Sequence, residues 1–279
     1  MQRTYKSGLL PVLIFCSLLH ANAIIAQGDL LIFPRRVVFE GSKRSEQLNL
    51  SNTGNDTATY LISFVQIRMK PDGGFEKITM PDSGQQFSDQ NIRYFPRSVT
   101  LAPRESQTVK LQLTKTNQLT PGEYRSHLYF RAVPKEPPLG EKPLPTKDST
   151  ISIKLIPIYG LSIAVIIRNG EATTMVNFSD LTFNRDKELK PYIALNFNRS
   201  GNMSTYGDVT VDYIAIDGKV TQVGVANGLA VYTPNTTRHF QLLLDNKSGI
   251  DYSSGKLHVT YSSQIKKIGK LAEEEIVLR

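Results

Sequence analysis

The chain has 279 residues, a length that suits one large or two ordinary domains. Hydrophobic residues make up 40% and charged residues 21%, which excludes both a disordered and a membrane-embedded composition; tryptophan is absent, so Tyr, Phe, Leu, Ile and Val must fill the core. The net charge of +8 comes from Lys and Arg scattered among acids with no long basic block, the pattern of a solvated basic surface rather than of a nucleic-acid binder.

Residues 1–26 read as a secretory signal peptide. Arg3 and Lys6 supply the positive start, residues 9–19 the short apolar core, and Ala21-Asn22-Ala23 or Ile25-Ala26 the cleavage site. The apolar run is too short for a spanning helix, which needs about 20 residues. The single cysteine, Cys16, lies inside this signal, so the exported chain is expected to carry no disulfide and no cysteine metal site.

Beyond the signal, strand-like alternation punctuated by turns dominates, the pattern of an all-β sandwich. Residues 30–33 and 36–39 are apolar and β-rich, and Leu48 and Leu50 alternate before a turn cluster at 51–56. Residues 60–69 read as one long strand ending at the Pro71-Asp72-Gly73-Gly74 turn. Val99 and Leu101, then Val109, Leu111 and Leu113, alternate on either side of Pro103, and residues 127–133 form another strand. The proline-rich and charged residues 135–148 form a loop. Residues 150–168 are the most hydrophobic stretch after the signal, closed by Asn169-Gly170, where a short hinge is expected. The expected organisation is a signal peptide over 1–26, a first domain over 27–168 and a second over 169–279.

The second half repeats the style. Alternation at 192–197, 209–213, 229–231, 240–244 and 257–261 marks strands, and Asp217-Gly218, Asn227-Gly228 and Ser254-Gly255 read as turns between them. Each half carries about seven short strands, as an immunoglobulin-like sandwich requires.

No catalytic chemistry emerges. His127, His239 and His258 are far apart and lack metal-ligand spacing, and there is no nucleophile elbow or phosphate loop. The sequence therefore points to no enzyme and to no cofactor.

Several ordered motifs resemble the PapD-like family of periplasmic pilus chaperones. Phe33-Pro34-Arg35-Arg36-Val37-Val38-Phe39-Glu40-Gly41 resembles its first-strand motif, and Leu48-Asn49-Leu50-Ser51-Asn52 its next strand. Tyr94-Phe95-Pro96 with the run 101–110 and Pro121-Gly122-Glu123-Tyr124-Arg125-Ser126-His127-Leu128 resemble two later elements. The likeness spans nearly all of 28–168. It is looser beyond, through Asn198-Arg199-Ser200-Gly201-Asn202 and Val231-Tyr232-Thr233-Pro234.

The resemblance implies two immunoglobulin-like β-sandwiches joined at an angle. It also implies a periplasmic chaperone that caps pilin or fimbrial subunits by donating a strand and delivers them to an outer-membrane usher, with a self-capping dimer left open. Strand donation needs alternate apolar side chains. Ile151, Ile153 and Leu155 meet that need, with Ile156 and Ile158 continuing the run. The competing reading of the same run is a central core strand of the first sandwich.

The family anchors the subunit's C-terminal carboxylate with an Arg and a Lys, because a buried carboxylate needs charge-assisted hydrogen bonds. Arg36 falls on the Arg position. The Lys position falls on Lys154 or on Ala164, depending on the alignment. Arg125 and Arg168 are expected in structural roles at the hinge. The family's interdomain Glu is replaced by Ser126, so the hinge must be held in another way. The alternative function is a secreted adhesive or carbohydrate-binding module, which would display a surface cluster of aromatics.

Overall fold

A computed structural model describes residues 30–134, 158–245, 250–264 and 269–278 of the chain. The first half begins with β1 (Leu30–Phe33) and β2 (Arg36–Phe39), followed by β3 (Ser45–Asn52) and β4 (Ala58–Val65). A small hairpin, β5 (Ile67–Met69) and β6 (Phe75–Lys77), comes next. Then follow β7 (Ile92–Phe95), β8 (Ser98–Leu101), β9 (Ser106–Leu113), β10 (Gly122–Ala132) and β11 (Gly160–Asn169).

These strands form one sheet in the order β1-β3-β9-β7 and a second in the order β2-β11-β10-β4-β8. The chain changes sheets at Pro34-Arg35, so β1 belongs to one layer and β2 to the other. Alternation does what it should: Leu48 and Leu50 on β3, Val109 and Leu111 on β9, and Leu128 and Phe130 on β10 point inward and are fully buried.

The second sandwich is built from β12 (Met175–Arg185), β13 (Pro191–Ser200), β14 (Thr205–Ile214), β15 (Val220–Val231), β16 (Thr237–Leu243), β17 (Lys256–Ser263) and β18 (Lys270–Val277). Its sheets run β12-β13-β16 and β15-β14-β17-β18. Ile193, Leu195 and Phe197 face Val209, Val211, Val259 and Tyr261 across a separate core. The all-β, two-sandwich class expected from the sequence is the one observed.

Two local expectations change. The long strand at 60–69 breaks at Gln66, which leaves the two sheets and starts the β5–β6 hairpin; the Gln66 carbonyl accepts a bond from the Ile78 amide at 3.0 Å. Asn227-Gly228 is not a turn. It lies inside β15, at a register shift against β14 where Gly228 has φ +70 and its amide donates to the Asp208 carboxylate at 2.7 Å. The pair supplies the left-handed conformation of a bulge, a use of Gly that resembles a hairpin signal in sequence.

Candidate functional site

β11 is the element on which the site depends. It pairs antiparallel with β10 along its whole length, but β2 covers only Ala164, Val165, Ile166 and Ile167 on its other side, in parallel. Among the described residues nothing pairs with 160–163 on that side. The exposure follows the same division. Ile163, Val165 and Ile167 point into the first core, while Ala164 and Ile166 point the other way and pack with Met69, Ala230 and Tyr232 between the sandwiches. Both faces of this half are therefore buried, and an uninterrupted apolar run is what such a strand needs. Upstream, Leu161 and Tyr159 share the inward parity of Ile163 but are 47% and 53% exposed.

The apolar run thus divides into a core strand at 163–167 and an open apolar edge at 158–161. Ile158 is exposed and stands just before β11. Ile151, Ile153, Lys154, Leu155 and Ile156 lie outside the described residues, as does the signal over 1–26.

Arg36 sits on β2 directly beside Ala164 of β11. Of the two placements for a second cation, the register puts alanine next to the arginine. Arg36 does not face bulk water. Its guanidinium carbon lies 4.3 Å from the centre of the Tyr206 ring of the second sandwich. Its Nε and Nη2 are buried with no hydrogen-bond partner among the described residues. Burial pulls its proton affinity below the ordinary guanidinium value, and the nearby Arg168 charge acts in the same direction.

Arg36 borders a cavity of about 250 Å³ between the two sandwiches. Arg35, Arg36, His127 and Arg238 line it together with apolar groups that include Ile67, Met69, Ala164 and Ala230, and no Asp or Glu is among its described lining. The cavity is therefore electropositive with apolar walls, suited to a small organic anion.

Behind the cavity, Arg125 is only 2% exposed. It donates to the carbonyls of Ile67 at 3.3 Å and Thr233 at 3.4 Å and lies 4.3 Å over the Tyr232 ring, so it joins the two sandwiches with no ion pair to an acid among the described residues. His127, beside it, contacts Tyr232 and Phe75 edge-on. Burial first and the Arg125 charge second hold its pKa down to about 3, so it is neutral at physiological pH.

The sandwich junction is fixed by Glu123. Its carboxylate, buried on β10, accepts from Arg168 Nε at 3.1 Å, from the Ser204 amide at 3.0 Å and from the Ser204 hydroxyl. Arg168 also donates to the Ser204 carbonyl at 2.8 Å. Arg199 then pins the Ser204 loop by donating to the carbonyls of Gly201 and Met203. Ser126 takes no part in this junction; its hydroxyl oxygen accepts from the Ser88 and Asp89 amides inside the first sandwich.

No model of a known protein family matches the sequence, and no curated protein matches it. Solved structures that resemble the chain include the YadV chaperone, at 14% identity and a TM-score of 0.42, covering 90% of this chain and 100% of that one. The CupB2 chaperone of Pseudomonas aeruginosa resembles it at 15% identity and a TM-score of 0.42, over 89% and 100% of the two chains. The SafA pilin of Salmonella enterica in complex with the SafB chaperone does so at 14% identity and a TM-score of 0.41, over 90% and 96%. A likeness of this size transfers no residue role and no partner.

Sequence reasoning found Arg36, Arg125 and Arg168 and missed Glu123, Arg238 and His127 as neighbours of the same junction. Glu123 stands within the Pro121-Arg125 motif, but its role depends on Ser204, 81 positions away. Arg238 had no local signal at all. The looser second-half motifs did carry one: Tyr232-Thr233 meets Arg125, and Arg199 holds the loop that meets Glu123.

Proposed function

We propose that the protein is a periplasmic chaperone for pilin-like subunits, which it caps by lending the open edge of β11 and hands to an outer-membrane usher. The observation that supports this best is the continuity between edge and cavity. Exposed Tyr159, just before β11, and Leu161 on it lead to Ala164 beside Arg36, three residues and about 10 Å beyond Leu161. An incomplete sandwich that pairs with the edge would place apolar sockets against these side chains, and its chain terminus would reach the cavity. Arg36 would anchor the terminal carboxylate there. Ile151, Ile153 and Leu155 have the same odd-numbered parity as Tyr159 and Leu161 and would extend the donor series. Lys154 remains a proposed second anchor from the resemblance, and Arg125 and Arg168 are proposed to set the angle between the sandwiches.

The reading includes export by the signal over 1–26, release into the periplasm, and work without a cofactor or covalent catalysis. The two sandwiches are proposed to correspond to 27–168 and 169–279. An aromatic recognition platform finds no support: exposed Phe33 and Phe95 lie on β1 and β7, the opposite edges of a four-stranded sheet. Co-expression with an incomplete pilin-type subunit tests the proposal. A stoichiometric complex that protects the subunit from degradation is expected, and equal survival of the subunit without this chain rejects the function.

A further inference from the structure

The cavity beside Arg36 contains a basic group from the second sandwich that the anchor scheme does not use. Arg238 on β16 reaches across to the β5–β6 hairpin, and its guanidinium lies flat against Gly73. A Cβ at Gly73 would stand 2.6 Å from Nη2 and displace the guanidinium, and the backbone there has φ +82, a conformation that favours glycine. Nη1 is held by the Ala230 carbonyl at 2.5 Å. Nε is buried and has no partner. Asp72, whose charge acts on it, is occupied by Lys70 Nζ at 3.0 Å and the Gly74 amide at 2.8 Å.

Arg36 Nε and Nη2, Arg238 Nε and His127 Nδ1 are thus all buried, all without a hydrogen-bond partner among the described residues, and all on residues that line one cavity. Unmet buried donors cost free energy unless something fills the site, and cations cost more than amides. A ligand carrying one negative charge and an apolar body would satisfy the donors and cover Met69, Ala164 and Ala230.

We propose that Arg238 is the second cation of the carboxylate site, so that the anion is clamped between the two sandwiches rather than held by the first alone. This rests on the proposed anchor at Arg36 and departs from it in taking the partner cation from β16 instead of from the strand beside Arg36. Arg238 replaces the charge that Ala164 cannot supply. The hairpin tip at Gly73 fixes where that charge stands, and the Asn235 side chain, donating to the Met69 carbonyl at 2.8 Å, with the His239 amide, donating to the Pro71 carbonyl at 2.7 Å, ties the hairpin to the second sandwich.

The test is titration of the purified protein with N-acetylleucine, followed by the arginine Nε–H resonances in ¹⁵N NMR, with N-acetylleucinamide as the uncharged control. The expected result is that Arg36 and Arg238 resonances both move with the acid and neither with the amide. Arg238→Gln weakens binding at least about tenfold, and Arg238→Lys restores part of it. Movement of Arg36 alone, with wild-type affinity in Arg238→Gln, overturns the role of Arg238 and leaves the Arg36 anchor standing. No movement of either resonance overturns both. Movement of both with no capture of any subunit supports the two-sandwich clamp and counts against the chaperone reading only. The wild-type Arg238 resonance decides the matter even if a variant fails to fold.

Discussion

Glu123 and Arg168 form a buried ion pair on neighbouring strands, at 3.1 Å, and both reach across to Ser204 of the second sandwich. Glu123→Gln keeps the shape but leaves Arg168, whose side chain is 15% exposed, with only the exposed and more distant Glu40 carboxylate at 3.9 Å as a charged partner. Breaking a buried pair from one side costs about 3–5 kcal/mol. Urea unfolding is expected to show that loss, and a change below about 1 kcal/mol would mean that the junction does not depend on the charge.

Arg36 should behave in the opposite way. Its buried Nε and Nη2 have no hydrogen-bond partner to lose among the described residues, and relief of that burial offsets the lost contact with the Tyr206 ring, so Arg36→Ala is expected to leave thermal stability nearly unchanged. The same change should weaken capture of a subunit with a free C-terminal carboxylate by about 2–5 kcal/mol. Calorimetry and a binding titration on the same sample separate the two effects. A large loss of stability would make Arg36 a structural residue.

His127 sets a pH window. Folding lowers its pKa from the ordinary 6.5 to about 3, through burial and the adjacent Arg125. Between those values the unfolded chain binds a proton that the folded chain refuses, so stability is complete above about 6.5 and falls as the pH drops toward 3. The slope contributed by one such group is about 1.4 kcal/mol per pH unit. Comparing the wild type with His127→Asn isolates it from the carboxylates: the wild-type curve should fall more steeply between pH 6 and 4. Parallel curves would show that His127 is protonated in the fold.

The sandwiches were legible because inward alternation on β3, β9, β13 and β17 is a local property of the sequence. The junction was not, because Glu123 with Ser204, Arg125 with Thr233 and Arg36 with Tyr206 join residues 81 to 170 positions apart, and no local pattern encodes such pairs. The hydrophobic run before Asn169 was ambiguous for a physical reason. A strand buried on both faces and an exposed donor edge have the same composition, and this run contains a core half at 163–167 and an exposed part at 158–161. Asn227-Gly228 was misleading because a bulge and a hairpin both require positive φ.

That last position gives a further prediction. At Gly228 a Cβ would lie 2.9 Å from the Tyr206 hydroxyl, and φ is +70. Gly228→Ala is expected to cost about 1–2 kcal/mol through backbone strain. It should also disturb Tyr206, and with it the seat of Arg36. A lowered melting temperature and a shifted Arg36 Nε resonance would check this together, and an unchanged spectrum would detach the bulge from the cavity.

The central claim is that the apolar edge at 158–161 completes the sheet of another chain. Capture of an incomplete pilin-type subunit by Leu161→Asp, measured beside its thermal unfolding, tests it most directly. Leu161 is 47% exposed, so the variant should fold with a near-normal melting temperature and yet lose the stoichiometric complex that the wild type forms. A variant that folds normally and still captures the subunit as well as the wild type would contradict the account.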